Sequence, residues 1–312
     1  MPPSRKPAAK TAARAKAERR QRSSPTPRLN GAMACDTAFR VVARRHLDSL
    51  CAQQEATCNG DSTALHQMRI ALTHLRTAIL FFSPMVDDEI RDEIRDELKW
   101  LNSELGAVRD LDVALERVKS LNGKRPQALP AFRSWNEKRA EGHRQLARVL
   151  RSVRYGWLIE QASGWIESGP WSTNTGKQAT RQRAAPVGAY SSEKIVQWEE
   201  KLLKKSRKLP QMGTKKRHSL RLLNKRLTYS IDSLEDLFAD KRFSKQKTAL
   251  KQLRKAQKSL GELNDGARGH ALATELQHKG VQTAVQFLGA KRKKRLLKKA
   301  AKSYHKLSTL KE

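Results

Sequence analysis

Apolar residues recur three or four positions apart along both halves of the 312-residue chain. This spacing puts apolar side chains on one face of an α-helix, and no run of alternating β-branched residues competes with it. The clearest series are Leu98, Leu101, Leu105, Val108, Leu111 and Leu115 in the first half, and Leu250, Leu253, Leu260 and Leu263 in the second. The hydrophobic pattern therefore predicts an all-α fold.

Turn-forming residues interrupt this pattern and divide each half into about four helices. They are Asn59-Gly60-Asp61, Pro84, Asn122-Gly123, Pro130, Pro210, Gly213 and Gly280. Four helices are enough to close a hydrophobic core on themselves. We therefore predict two four-helix bundles in tandem.

Composition places the domain boundaries. Residues 1–30 carry nine basic residues and one acid, with Pro25 and Pro27 near the end, which is typical of a disordered basic arm. The stretch from Gly169 to Ala189 is rich in Gly, Pro, Ser and Thr and shows little periodicity, as a linker does. We predict an arm at 1–30, a first four-helix half at 31–170, a linker at 171–190 and a second four-helix half at 191–312.

The chain is strongly basic, with 64 Lys and Arg against 31 Asp and Glu and a formal charge of +33. Such a surplus repels itself unless a polyanion neutralises it, so charge favours a polyanionic partner over a small neutral substrate. The longest apolar run, Ala78 to Phe82, is far shorter than the roughly 20 residues of a membrane-spanning helix. We expect no membrane insertion.

Cysteine usage and the N-terminus favour a cytoplasmic protein. Cys35, Cys51 and Cys58 are odd in number and form no Cys-x-x-Cys pair, which argues against a disulfide framework and against a zinc site. We expect reduced thiols, no bound metal and no cofactor. The first residues lack the apolar segment of a secretory signal.

Two short blocks occur twice in the chain, in the same order and at nearly the same separation. Each copy opens with a histidine that is followed three residues later by an arginine. A Leu-Gly pair comes about 40 residues further on, with an aspartate four positions after the glycine. The copies are His66 to Arg69 with Leu105-Gly106 and Asp110, and His218 to Arg221 with Leu260-Gly261 and Asp265. The matched spacing indicates an internal duplication.

In each copy the motif residues form a row along one helix. At about 100° per residue, the polar positions of the first copy fall within an arc of about 80° beside an apolar face. The rows are His66, Arg69, Thr73 and Arg76 in the first copy and His218, Arg221 and Lys225 in the second. Each helix can pack by its apolar side and present its charged side chains on the adjoining side. We expect the two rows to face a shared groove.

These motifs resemble those of the CHAD family, the conserved-histidine α-helical domain. The resemblance rests on the His-x-x-Arg helix, the Leu-Gly-x-x-(Arg/Asn)-Asp block and the duplication, and it covers most of residues 31–310. It implies a pair of four-helix bundles with a basic central cleft that binds inorganic polyphosphate, without catalysis by this domain alone. The chain departs from the family pattern at Thr73 and Thr228, where arginine is common, and at His74, where a basic residue is usual.

The predicted polyphosphate contacts come from the cationic rows, the Leu-Gly blocks and the residues before the second block. Arginine presents a planar, bidentate fork to phosphate oxygens, lysine presents a mobile point charge, and histidine gains charge beside an anion. We assign no catalytic residue. The predicted contacts are His66, Arg69, His74, Arg76, Arg109, His218, Arg221, Lys225, Arg226, Arg254 and Lys258.

Structural roles for the same residues stay open at this point. Arg69 and Arg221 can simply pair with carboxylates such as Asp110 and Asp265, which are poor phosphate contacts without a metal. The two motif histidines can be ordinary core or interface residues, and Tyr229 is expected in the core. The basic run from Lys291 to Lys299 can be either a solvated helix face or a non-specific contact for anions.

Three functions compete for this pattern. The leading hypothesis is a non-enzymatic polyphosphate-binding protein of the cytoplasm, associated with polyphosphate granules. The alternative is a nucleic-acid-binding or nucleoid-associated protein that uses the basic arm and the C-terminus, although aromatic residues for base stacking are only 5%. A metal-dependent phosphohydrolase is not favoured, because there is no His-Asp dipeptide and the acids from Asp87 to Glu97 alternate with arginines as on a salt-bridged helix face.

Overall fold

The computed structural model describes residues 27–121, 130–238, 244–275 and 289–310. These described residues form α-helices and short 3₁₀ helices and no β-strand. An isolated antiparallel β-bridge joins Ala34 to Pro186. The predicted all-α fold class is confirmed. The internal duplication and the domain boundaries stay predictions.

Six α-helices lie in the described part of residues 31–170, where the turn residues predict about four. They are α1 (Cys35–Ala52), α2 (Gln54–Cys58), α3 (Ser62–Phe81), α4 (Glu89–Leu121), α5 (Pro130–Leu150) and α6 (Val153–Ser168). The additional breaks occur without Gly or Pro. Gln53 separates α1 from α2, and the Ser152 hydroxyl accepts the Tyr155 N–H and so starts α6.

The segment at 171–190, predicted as a linker, is partly helical. It contains α7 (Lys177–Ala184), and α8 (Val187–Ser206) begins before the segment ends. Trp171 anchors the segment, because its indole is buried and the indole N–H donates to the carbonyl of Trp165 at 2.8 Å. The sequence shows no helical period here because α7 buries no side chain and so has no apolar face.

The remaining helices are α9 (Thr214–Ser233), α10 (Ser244–Glu275) and α11 (Ala290–Ser308). Together with α8 they form a bundle in which α9 packs against α8 and α10, and α11 packs mainly against α10. A buried amide ties three of these helices together. Asn224 accepts a hydrogen bond from the Tyr304 hydroxyl at 3.1 Å and donates to the Leu253 carbonyl at 3.2 Å.

The last residues of the predicted basic arm pack against the helices rather than extending away from them. Leu29 is buried, and its backbone N–H donates to the Asp236 carboxylate at 3.3 Å. The Gly188 N–H donates to the Gly31 carbonyl at 3.0 Å, and a Cβ on Gly188 would lie only 3.0 Å from the Gly31 backbone. Glycine at 188 permits this close approach. Residues 1–26 of the predicted arm lie outside the described residues.

The two helices that carry the His-x-x-Arg motif, α3 and α9, pack against each other and so join the two halves of the chain. Gly60, with φ of 85°, ends the turn before α3, and the Asp61 carboxylate caps that helix by accepting the Thr63 N–H at 2.7 Å. Each helix buries an apolar face, with Leu65, Met68, Leu72, Leu75 and Ile79 in α3 and Leu220, Leu223, Leu227 and Ile231 in α9. The apolar faces thereby place the two cationic rows next to one another.

Candidate functional site

Lys225 of α9 lies beside the histidines of α3. The pKa of His74 is lowered to about 4, first by burial and then by the Lys225 ammonium. The pKa of His66 is also lowered, by its partial burial and by Arg109, Arg69 and Lys225, against a smaller opposing effect of Glu116. A single lysine of the second half thus acts on two histidines of the first. The charge of one helix is thus felt on the other at this junction, while a groove shared by the two rows stays a prediction.

Arg76 of the α3 row and Arg226, which follows the row residue Lys225 on α9, form a second electrostatic link between the two helices. The pKa of Arg76 is lowered by burial and by the neighbouring Arg226 guanidinium. Arg76 is half-buried and Arg226 is exposed, and neither has an ion pair within the part of the chain that the structure describes. Two like charges held together in this way are stabilised by a bound anion.

Tyr229 lies between the motif arginines of the two halves. Burial raises the pKa of its phenol, while Arg221 and Arg69 lower it. The phenol accepts a hydrogen bond from the Gln257 amide at 3.5 Å, and the Lys225 ammonium lies 5.5 Å from the ring centre. Tyr229 is half-buried rather than fully buried in the core, so its ring supports the cations around it.

His74, which the sequence predicts as a phosphate contact, belongs to a cluster between the halves. Its ring packs at a tilt against Tyr229 at 4.4 Å and against His46 of α1 at 4.7 Å, measured between ring centres. The Ser233 hydroxyl lies 3.0 Å from Nδ1 of His74 and 2.8 Å from Nε2 of His46. Burial, His74 and Arg45 lower the pKa of His46 to about 3. Both rings are therefore neutral at pH 7, and the cluster holds the halves together.

The Leu-Gly blocks position the motif residues. The Arg69 guanidinium donates to the Gly106 carbonyl at 3.5 Å, and a Cβ on Gly106 would lie 3.8 Å from that guanidinium. The His218 imidazole donates through Nδ1 to the Asn264 amide oxygen at 3.0 Å. Asn264 and Arg109, which is close to His66, both come three residues after the glycine of their block. The same position in each block thus lies beside a motif histidine.

Three of the predicted contacts lie on the helices that flank α3 and α9. Arg109 lies 3.4 Å from Glu116 and 3.9 Å from Asp112, and Arg254 pairs with Asp232 at 2.7 Å. Lys258 is exposed one turn after Arg254 on α10. These arginines already contact carboxylates, so they offer less free charge to an anion than the sequence predicts.

Pairing of the motif arginines with the block aspartates stays a prediction. Asp110 is half-buried on α4, and the side chain of Asp265 lies outside the described residues. Lys99, which is exposed on α4, is not among the predicted contacts, although its spacing matches that of Arg254. Its signal is spacing, because Lys99 and Arg254 each lie seven residues before the glycine of a Leu-Gly block. His46 carries no comparable signal, because its partner Ser233 is 187 residues away in the chain.

A small cavity opens where the motif helix meets α10 in the second half. Its volume is about 20 Å³, and its lining includes His218, Arg221 and Asn264. This volume holds a group about as large as a water molecule. An extended anion would therefore lie across the mouth of the cavity, with its backbone outside.

Several carboxylates at the start of α4 are held in ion pairs with arginines of the same helix. On α4, Arg91 pairs with Asp87 at 2.6 Å and Arg95 with Asp92 at 3.0 Å, as predicted for a salt-bridged helix face. In the described part of the chain, no set of three His, Cys, Asp or Glu side chains is placed to hold a metal ion. None of its helices is long and apolar enough to cross a bilayer.

Comparison with known proteins adds a family and a fold. The family model of the CHAD domain matches residues 41–274. The structure is similar to the CHAD domain from the plant Ricinus communis, at 22% identity and a TM-score of 0.69, over 92% of this chain and 94% of that one. It is also similar to PptA from Streptomyces chartreusis, at 14% identity and a TM-score of 0.58, over 89% of this chain and 97% of that one. No curated protein matches the sequence.

Proposed function

The chain belongs to the CHAD domain family, and from that premise we propose that it binds inorganic polyphosphate along the cations that α3 and α9 bring together. The observation that carries the proposal is the closeness of Arg76 and Arg226. These two guanidiniums come from different halves, lie close enough for one to lower the pKa of the other, and have no ion pair among the described residues. A bound polyanion would relieve their repulsion.

The chemistry of the site suits a phosphate polymer. Polyphosphate carries a negative charge on each internal unit and has no bases to stack, so its recognition needs cations spaced along a track. Arg69, Arg76, Arg221 and Arg226 each offer a planar fork to non-bridging oxygens, and Lys225 adds a point charge between them. His66, whose pKa is lowered by burial and neighbouring cations in the free protein, is favoured as an imidazolium beside the polymer, because an anion stabilises the charged ring.

The binding test replaces the central arginine pair. We expect Arg76→Gln with Arg226→Gln to weaken the affinity for long-chain polyphosphate roughly tenfold or more, because two charge-assisted contacts are lost. The matched control is Arg133→Gln with Arg181→Gln, which removes the same charge from exposed positions elsewhere. Equal affinities of the two variants would show that total charge, and not this site, binds the polymer.

Specificity is tested by competition. We expect single-stranded DNA to displace polyphosphate only at much higher phosphate concentration, because the site has one half-buried tyrosine and no open aromatic platform for bases. Displacement at equal phosphate concentration would favour a nucleic acid as the ligand of this site.

We also propose that binding occurs without hydrolysis and that the protein associates with polyphosphate granules in the cytoplasm. The arginines and the lysine that α3 and α9 bring together are cations, which bind phosphate oxygens without taking a proton from water. Incubation with polyphosphate and Mg²⁺ or Mn²⁺ should release no inorganic phosphate beyond a protein-free control. A fluorescent fusion should colocalise with granules, and the Arg76→Gln, Arg226→Gln variant should not.

A further inference from the structure

Helix α11 carries a cationic ridge on the side opposite its buried face. Leu296, Ala300, Ser303, Tyr304 and Leu307 are buried. At about 100° per residue, five exposed cations fall within an arc of about 80° on the other side, over a length of about 22 Å. We call this set the α11 ridge, and it consists of Lys291, Arg295, Lys298, Lys302 and Lys306.

The charge of the ridge opposes the stability of its own helix. Its neighbouring members are three or four residues apart, where like charges repel. Cations also occupy the first turn of α11, where the helix dipole disfavours them. Residues 290–308 contain no acid, and within the described residues the helix has one ion pair, between Arg292 and Glu262 at 3.1 Å. A solvated helix face needs no such charge, whereas a polyanion-binding face does.

The ridge lies away from the site at the α3–α9 junction. α11 packs against α10, α8 and the short 3₁₀ turn at Leu209–Gln211, and it reaches α9 through the core by the hydrogen bond of Tyr304 to Asn224. α11 is therefore diagonal to α9 in the bundle, and its exposed ridge points away from α9. A polymer bound at the junction would not run along the ridge.

Further cations flank the ridge. Lys201, Lys204, Lys205 and Lys208 at the end of α8 are exposed, and this end leads into the 3₁₀ turn that packs against α11. The basic surface is therefore wider than one helix. The ridge is the exposed side of a single helix, so it suits a partner that has a groove wide enough to admit a helix.

We propose that the α11 ridge binds the backbone of double-stranded DNA without reading its sequence. The major groove of B-DNA is about 12 Å wide and admits an α-helix between two rows of phosphates. Between Lys291 and Lys306 the exposed face holds only Lys, Arg and His side chains, so it offers phosphate contacts and no amide that would read a base pair. This partner is additional to polyphosphate, and the two proposals fail independently.

The test measures duplex DNA binding of the full chain by fluorescence anisotropy over a series of salt concentrations. The variant is Lys291→Gln, Lys298→Gln, Lys302→Gln, which keeps helix propensity because Lys and Gln are similar helix formers. We expect the slope of log affinity against log salt to fall by about 2.7, since each lost phosphate contact removes about 0.9. The affinity should fall by about tenfold or more at low salt.

The control variant is Lys138→Gln, Lys177→Gln, Arg181→Gln, which removes three exposed charges away from the ridge. It should leave the salt slope close to that of the unchanged protein. Thermal unfolding should show the ridge variant to be as stable as the unchanged chain or more so, which separates lost binding from lost folding. An unchanged slope in the ridge variant overturns the proposal. A ridge variant that loses polyphosphate and DNA affinity in parallel overturns it too, because the ridge would then be part of one polyphosphate track.

Discussion

The cluster of His46, His74 and Ser233 makes folding stability depend on pH. Both rings have a pKa below the ordinary histidine value of 6.5, about 3 for His46 and about 4 for His74. Between the lowered pKa of each ring and 6.5, the unfolded chain therefore binds more protons than the folded chain. The contribution of each ring is present above pH 6.5 and is lost as the pH falls, down to about 4 for His74 and about 3 for His46.

The size of the effect follows from His74 alone. Its pKa of about 4 in the folded chain, against 6.5 in the unfolded chain, implies a loss of about 2 kcal/mol of stability between pH 7 and pH 5. Lys225 and Arg45 are the cations that oppose an imidazolium here, and Arg45 is itself paired with Asp236 at 2.8 Å. Replacement of His74 by Gln removes this titration.

The assay is urea unfolding of the unchanged chain and of His74→Gln at a series of pH values from 5 to 7. We expect the variant to be less stable at pH 7, because it loses ring contacts with His46 and Tyr229. Its stability should vary with pH by about 2 kcal/mol less than that of the unchanged chain. His305→Gln, at an exposed histidine of α11, is the control. If the free energy of unfolding varied equally with pH in the unchanged chain and in His74→Gln, the titration would not come from His74.

Three further substitutions test the packing that supports the site, each by chemical or thermal unfolding. Gly188→Ala places a Cβ 3.0 Å from the Gly31 backbone and should cost about 1–3 kcal/mol, whereas Gly164→Ala, in a helix with open space around it, should be neutral or stabilising. Asp112→Ala removes a carboxylate that is 2% exposed and bonded to two basic side chains, and we expect a loss of about 3 kcal/mol. Tyr304→Phe removes the buried hydrogen bond from the Tyr304 hydroxyl to Asn224 and should lower the free energy of unfolding by about 1 kcal/mol. An unchanged free energy of unfolding would mean that the Asn224 amide finds another partner.

The sequence is informative about this protein where local periodicity decides the structure. The spacing of Leu65, Met68 and Leu72 identifies the buried face of α3, and so it identifies the neighbouring row that holds Arg69 and Arg76. The repeated Leu-Gly blocks mark a part of the chain that lies beside the motif histidines, and Asn264 contacts His218 there. These features depend on residues within one helix or on a repeated interval.

Other features depend on contacts between distant parts of the chain. His46 and Ser233 meet only when the two halves pack together, and no motif marks either residue. α7 has no apolar face, so no hydrophobic period reveals it. The carboxylates beside Arg109 and Arg254 reduce the charge available at two predicted contacts, and helical spacing alone does not show which acids face which arginines.

The arginine pair between α3 and α9 is the centre of the proposed function, and a crystal structure with tripolyphosphate tests it most directly. We expect phosphate oxygens within about 3 Å of guanidinium nitrogens of both Arg76 and Arg226, with one ligand chain spanning the two helices. Tripolyphosphate bound only along α11, or Arg76 and Arg226 left without a phosphate contact at saturating ligand, would contradict it.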